Sequence, residues 1–210
     1  MSQTSTFESA LKALPLVAIL RGVRPDEVEA IALGLYEEGF RLIEVPMNSP
    51  QALDSIARLA ACLPADALLG AGTVLSVDAA RKVKEAGGRL IVMPHADTAV
   101  VRAAKADGMF CVPGAATPTE AFACAAAGAD AVKLFPAELI TPQIVKAIRA
   151  VIPISVHLLP VGGVTPQTMA PYVQAGASGF GLGSALYAPG YTAAAVAERA
   201  RAFVQAWRAL

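Results

Sequence analysis

Two charged residues lie inside otherwise apolar, strand-like runs of the sequence. Lys133 lies in "AVKLFP" and Glu44 lies in "LIEVP". A lysine amine is nucleophilic only when it is neutral, and burial disfavours its ammonium form, so a buried lysine can attack a carbonyl carbon. A buried carboxylate nearby could give and take the protons that forming and breaking an imine requires. The pair therefore indicates Schiff-base chemistry.

Two simpler interpretations of these residues remain open at the level of sequence. Lys133 could be an edge residue whose ammonium group reaches solvent. Alternatively, Lys133 and Glu44 could form a structural ion pair, because buried charges are usually paired. The catalytic and ion-pair interpretations both require the two side chains to be close, so proximity alone does not separate them.

Two glycine clusters follow the last two apolar runs of the chain. Gly162 and Gly163 lie in "PVGGVTP", and Gly183 and Ser184 lie in "GLGSAL". Glycine lets backbone N–H groups approach an anion, and a helix N-terminus adds a favourable dipole. Residues 150–197 contain no Asp, Glu, Lys or Arg, so backbone groups would have to neutralise a bound anion. We predict a phosphate site here; the alternative is that the glycines serve only tight turns.

Two further polar residues end apolar runs and could bind a carboxylate. Arg21 follows the first run and offers a two-pronged guanidinium, and Thr73 follows the third and offers a hydroxyl donor. The alternatives are a surface-loop arginine and an ordinary β-branched strand residue.

The elements that would position these residues alternate regularly along the chain. Eight short apolar runs recur, separated by Ala-rich segments with helical spacing. This order predicts a single (β/α)₈ TIM barrel over residues 1–210, with a short extra helix near residues 6–14. The active site of such a barrel lies at the carboxyl ends of its strands. The alternative fold is an open doubly wound sheet.

Composition narrows the function classes. The chain has 17 basic and 17 acidic residues, so charge predicts no binding to nucleic acid or to anionic membranes. Three widely spaced cysteines and two isolated histidines predict reduced thiols and no metal site. The first residues lack a signal-peptide pattern, and prolines interrupt the uncharged stretch, so we expect a soluble, cytoplasmic protein.

Four motifs together resemble one enzyme family over nearly the whole chain. These are "GAGTVL", "AVKLFPAE", "LPVGGVTP" and "GLGSALY", and they are similar to the class I 2-keto-3-deoxy-6-phosphogluconate and 6-phosphogalactonate aldolases. The resemblance implies that Lys133 forms the Schiff base and Glu44 moves protons, without a metal or other cofactor. It also implies a phosphorylated keto-acid substrate and a homotrimer. The implied contacts are to the pyruvate-derived carboxylate by Arg21 and Thr73, and to the phosphate by Gly162, Gly163, Gly183 and Ser184.

Two details resemble the galactonate branch of that family. After Glu44 the chain reads "VPMNSP", and the arginine typical of the gluconate branch is absent. Val161 stands where that branch commonly has threonine, and valine cannot hydrogen-bond a substrate hydroxyl. Three alternatives stay open: an aldolase of the phosphogluconate or hydroxyketoglutarate type, a phosphosugar isomerase or epimerase, and a phosphosugar-binding protein that is not an enzyme.

Overall fold

The computed structural model describes residues 3–210. Its strands β1 to β9 are Leu16–Ile19, Leu42–Pro46, Leu68–Gly72, Leu90–Val92, Phe110–Val112, Gly114–Ala115, Ala131–Leu134, His157–Pro160 and Phe180–Leu182. Its helices α1 to α9 are Gln3–Ala13, Val28–Glu37, Ala52–Cys62, Val77–Glu85, Thr98–Ala106, Pro118–Ala126, Pro142–Arg149, Met169–Gln174 and Ala193–Arg208.

Each of the eight predicted apolar runs forms a strand, and the fifth run forms two. Pro113 separates β5 from β6, and proline lacks the backbone N–H that a continuous ladder would use. Lys133 therefore lies on β7, although its run is the sixth along the chain. The predicted extra helix is also present, as α1.

The strands form an α/β fold built on a curled parallel sheet. Six strands pair in the order β5-β4-β3-β2-β1-β9, and three more pair in the order β6-β7-β8. The first five strands follow chain order across their sheet, without the reversal expected of the doubly wound alternative. Because neighbouring strands are parallel, their carboxyl ends share one edge, where the predicted site residues are found.

Local sequence determines where several helices begin. Thr117 and Glu120 form a capping box before α6, with Pro118 at the first helical position. Asp97 caps α5 by accepting hydrogen bonds from two backbone N–H groups. These helices cover the outer faces of the strands, so the strands are buried on both faces, as a helix-covered parallel sheet requires.

Two apolar clusters form the core. The larger one lies between strands and helices, and the smaller one joins alternate residues of both sheets to α1. In the smaller cluster Phe7 stacks on Phe110, with ring centroids 5.6 Å apart. Because α1 packs against the interior side chains near the amino ends of the strands, the opposite edge is left for the polar residues.

No helix within residues 3–210 has the length and apolar character needed to cross a membrane.

Candidate active site

A narrow internal cavity brings Glu44 and Lys133 together. Both line it at the carboxyl side of the strands, with Val161 and Gly181 among their neighbours. The rest of the lining is aliphatic, from Val17, Ile19, Val92, Val112 and Leu159. The two charged groups therefore share an apolar environment, in which burial disfavours the charged form of each.

Glu44 projects from β2 and is 1% exposed. Burial raises the pKa of its carboxyl to about 7, although Lys133 and Arg21 oppose that rise. The carboxylate lies against the backbone of Gly72, the last residue of β3, where a Cβ atom would overlap with it. Its Oε2 accepts no hydrogen bond from any described residue.

Lys133 projects from β7 and is 5% exposed. Burial lowers the pKa of its amine, Glu44 opposes this shift and Arg21 reinforces it. Its Nζ atom lies 4.7 Å from the centroid of the Phe135 ring. Among the described residues no carboxylate lies within 4.0 Å of Nζ, so the direct ion pair of the structural interpretation is not formed.

Arg21 extends from the loop after β1 and is exposed. Its Nη1 donates a hydrogen bond of 2.8 Å to Asn48 Oδ1. The backbone N–H of Gly22 donates to Ser49 Oγ at 2.9 Å. The "MNSP" segment after β2 therefore positions the loop that carries Arg21. The segment is recognisable in the sequence, but its role in positioning Arg21 follows only from these contacts.

Thr73 is placed differently from the other predicted residues. It follows β3 directly, is half-buried and has a φ of 54°, which is rare for a β-branched residue. Thr73 does not line the internal cavity. It also does not line the wider cleft above that cavity, which the two glycine clusters line. Such strained backbone positions occur disproportionately at functional sites.

An outer cleft of about 160 Å³ opens above the internal cavity. It is lined by the two predicted glycine clusters, and Lys133 and Val161 line both the cleft and the cavity. Gly162 and Gly163 have φ values of 119° and 60°, so both need glycine's conformational freedom. The cleft also includes Arg21, Phe135, Glu138, Gly183 and Ser184.

Three further residues shape the site without having been predicted from sequence. Gly72 makes room for the Glu44 carboxylate, and Gly181 makes room for the Val161 side chain. Glu138 packs over the Gly162–Gly163 turn. All three lie in the motifs that carry the family resemblance, but only the tertiary packing reveals what each one touches.

No group of three or more His, Cys, Asp or Glu residues that could hold a metal ion was found within the described range 3–210.

The chain is similar to known proteins over nearly its whole length. The family model "KDPG and KHG aldolase" matches residues 7–198. A probable 2-dehydro-3-deoxy-6-phosphogalactonate aldolase of Rhizobium meliloti (strain 1021) is 46% identical over 196 residues, 93% of this chain and 92% of the relative. The 2-dehydro-3-deoxy-6-phosphogalactonate aldolase of Escherichia coli (strain K12) is 44% identical, over 93% and 95% of the two chains.

A solved structure described as native KDPGal aligns with a TM-score of 0.91 and 44% identity, covering 93% of this chain and 95% of the other. Family, relatives and structure thus agree over nearly the whole length. This chain belongs to the KDPG and KHG aldolase family and is a lyase.

Proposed function

We propose that this protein is a class I aldolase that cleaves 2-dehydro-3-deoxy-6-phosphogalactonate to pyruvate and glyceraldehyde 3-phosphate. The observation that carries the proposal is a buried lysine with a lowered pKa, sharing a cavity with a buried carboxyl group. Both relatives described above carry the phosphogalactonate aldolase name, which supports this substrate.

The proposed reaction begins at Lys133. The neutral amine attacks C2 of the keto acid to give a carbinolamine. A proton from the Glu44 carboxyl lets the carbinolamine hydroxyl leave as water, and the product is a protonated imine, which accepts electrons. Glu44 takes the proton of the C4 hydroxyl while the C3–C4 bond breaks, and the bonding electrons pass into an enamine. The aldehyde leaves, and Glu44 passes the proton it has taken to C3. Water then hydrolyses the imine to pyruvate and lysine, and the extra proton of the lysine returns to Glu44. The iminium polarises the substrate, so the proposed mechanism uses no metal or other cofactor.

Binding roles are proposed for the ends of the substrate. The Arg21 guanidinium would bind the pyruvate-derived carboxylate, because it faces the same cleft as Lys133. We propose the same ligand for Thr73, whose support is its place directly after the glycine that contacts Glu44. The phosphate would lie at the glycine clusters of the cleft, namely Gly162, Gly163, Gly183 and Ser184.

Borohydride trapping with pyruvate tests the Schiff base. Reduction should leave a pyruvate-derived mass on the peptide that carries Lys133, and Lys133→Ala should give neither the adduct nor cleavage. Turnover close to wild type in Lys133→Ala would overturn the proposal. Turnover of a phosphosugar by the wild type without any trapped adduct would instead favour an isomerase or epimerase.

We also propose that Val161 favours the galactonate epimer, because its apolar side chain lines both the cavity and the cleft. Wild type should cleave the phosphogalactonate substrate with a higher kcat/KM than the phosphogluconate epimer. Val161→Thr conserves shape and adds a hydroxyl, so it should lower that ratio, by about tenfold for one hydrogen bond. A wild-type preference for the gluconate epimer would support the 2-dehydro-3-deoxy-6-phosphogluconate aldolase alternative, which a more distant relative represents at 32% identity.

We further propose that the two sheets form one closed (β/α)₈ barrel and that residues 1–210 are a single domain. A parallel bridge between Val161 and Gly181 supports closure on one side. On the other side the backbone N–H of Lys133 donates to Pro113 O at 2.9 Å, at the junction of β5 and β6. One cooperative unfolding transition, coincident by two probes, is expected; two separate transitions would contradict a single domain.

We also propose that the protein forms a homotrimer in the cytoplasm. Exposed apolar side chains of the segment after β7 support an interface between copies: Leu139, Ile144, Val151 and Ile154. Three unpaired cysteines support a reducing compartment. Sedimentation equilibrium should give the mass of three chains, and a monomer mass at micromolar concentration would contradict the trimer.

A further inference from the structure

The Glu138 side chain lies against the glycine turn at which the substrate phosphate is proposed to bind. Its side chain packs over the turn formed by Gly162 and Gly163: a Cβ atom on Gly162 would overlap with its Oε2, and one on Gly163 would lie 3.3 Å from its Cγ. Among the described residues, no hydrogen bond or ion pair holds this carboxylate. An acidic group without a cationic partner thus rests on a glycine turn that lines the cleft.

The backbone on both sides of Glu138 is fixed, whereas its side chain is exposed. The backbone N–H of Ala137 donates to Val161 O at 2.9 Å, and Tyr172 Oη donates to Ala137 O at the same distance. Ile140 is buried on the other side. The carboxylate can therefore leave the glycine turn by side-chain rotation alone, without a movement of the loop.

The negative charge of Glu138 would oppose the binding of a phosphate at the Gly162–Gly163 turn. A phosphate group at the turn would meet the Glu138 carboxylate at close range, where two like charges repel each other. The same carboxylate already adds to the raised pKa of Tyr172, after the larger effect of burial.

We propose that Glu138 is a displaceable occupant of the phosphate subsite. Its carboxylate covers the glycine turn in the empty enzyme and rotates into solvent when a phosphorylated substrate binds. The substrate is also held by its imine and its carboxylate, and these contacts offset the cost of the displacement. A small free anion has neither contact and therefore binds more weakly. Glu138 thereby discriminates against inorganic phosphate. This inference rests on the proposed phosphate subsite.

Direct titration with inorganic phosphate tests the inference without relying on turnover. Phosphorus NMR at constant ionic strength would compare wild type with Glu138→Gln and Glu138→Ala, which keep and remove the side-chain shape. A matched control is Glu85→Gln, an exposed glutamate at the carboxyl end of α4, on the opposite edge from the cleft. Gly183→Val localises the binding, because no atom lies within 4 Å of a Cβ at Gly183 and the new side chain would fill the cleft.

We expect both Glu138 variants to bind phosphate roughly fivefold more tightly than wild type, as removal of a nearby like charge predicts. Glu85→Gln should match wild type, and Gly183→Val should lose binding in either background. Equal affinity in wild type and both Glu138 variants, with loss in Gly183→Val, would overturn the role of Glu138 and leave the subsite standing. If Gly183→Val leaves the phosphate affinity unchanged, or if no variant binds phosphate, both the subsite and the inference are overturned. Borohydride trapping at Lys133 would remain an independent test of the Schiff base.

Discussion

Burial raises the pKa of the Glu44 carboxyl. The apolar residues beside Glu44 in the sequence do not by themselves show the size of this effect. Its pKa of about 7 in the folded protein lies above the unfolded value of about 4.3. Between these values the folded state binds a proton that the unfolded state has released. The contribution of Glu44 to stability is therefore fully present below about pH 4 and is lost as pH rises through about 7.

Glu44→Gln should reverse that loss. Because glutamine stays neutral, the variant should gain unfolding free energy relative to wild type as pH rises from 5 to 8, by on the order of 3 kcal/mol at most. Urea unfolding of both proteins at the two pH values measures this difference. If the gap between variant and wild type is the same at pH 5 and pH 8, Glu44 does not ionise differently in the two states.

Gly72 controls where that carboxyl lies. A methyl group at position 72 would overlap with the Glu44 carboxylate, so Gly72→Ala must displace Glu44 or the strand. We expect a cost of about 2 kcal/mol in unfolding free energy, as for other overpacked sites. We also expect a fall in kcat of roughly a hundredfold, as for a misplaced reacting group. Steady-state kinetics and urea unfolding check the two effects.

Gly183→Ala is the matched stability control for Gly72→Ala. Its Cβ would meet no atom within 4 Å, so its unfolding free energy should stay within about 0.5 kcal/mol of wild type. Wild-type kcat in Gly72→Ala would show that the Glu44 carboxylate does not need its present position.

At the scale of elements, α2 contains a glycine that its packing does not require. A Cβ at Gly34 would lie 3.8 Å from the Ala197 Cβ on α9, an ordinary contact. Gly34→Ala should therefore raise the unfolding free energy by about 0.5–1 kcal/mol, because alanine restricts the unfolded chain and favours helix. Thermal or urea unfolding measures the gain.

The glycine that ends the same helix provides the contrast. Gly39 has a φ of 106°, a conformation that alanine adopts only with strain, so Gly39→Ala should lower the unfolding free energy by about 1–2 kcal/mol. Stabilisation by both substitutions, or by neither, would contradict the assignment of different backbone roles to the two glycines.

At the scale of the whole molecule, stability and chemistry lie at opposite edges of the strands. Phe7 of α1 is buried against Phe110, the first residue of β5, and lines neither the cavity of Lys133 nor the outer cleft. Phe7→Ala should lower the unfolding free energy by about 3 kcal/mol, because it leaves a cavity in the smaller core cluster. At a temperature where the variant stays folded, its kcat for cleavage should remain within about twofold of wild type.

Leu210→Ala is the control for the loss of apolar volume. That C-terminal side chain is 55% exposed, so its truncation should change the unfolding free energy by less than about 0.5 kcal/mol. A strong loss of kcat in folded Phe7→Ala would show that the two edges are coupled.

The strands, the N-terminal helix and the aldolase family could be predicted from sequence, because each depends on local patterns. Apolar runs between helical segments indicate parallel strands wherever the chain can bury them, and all eight runs became strands. The break at Pro113 depends on a missing N–H within the ladder. That proline was visible in the sequence, but its effect depends on which strands pair on either side.

Sequence by itself singled out Lys133 and Glu44, because a charged residue inside an apolar run is conspicuous wherever the run folds. Only the tertiary structure decided what surrounds them. It placed Gly72 against the Glu44 carboxylate, Asn48 against Arg21 and Glu138 over the glycine turn, and it left Lys133 and Glu44 in one cavity without a direct ion pair. Such contacts join residues distant in sequence and depend on strand register and side-chain direction, which no local pattern contains.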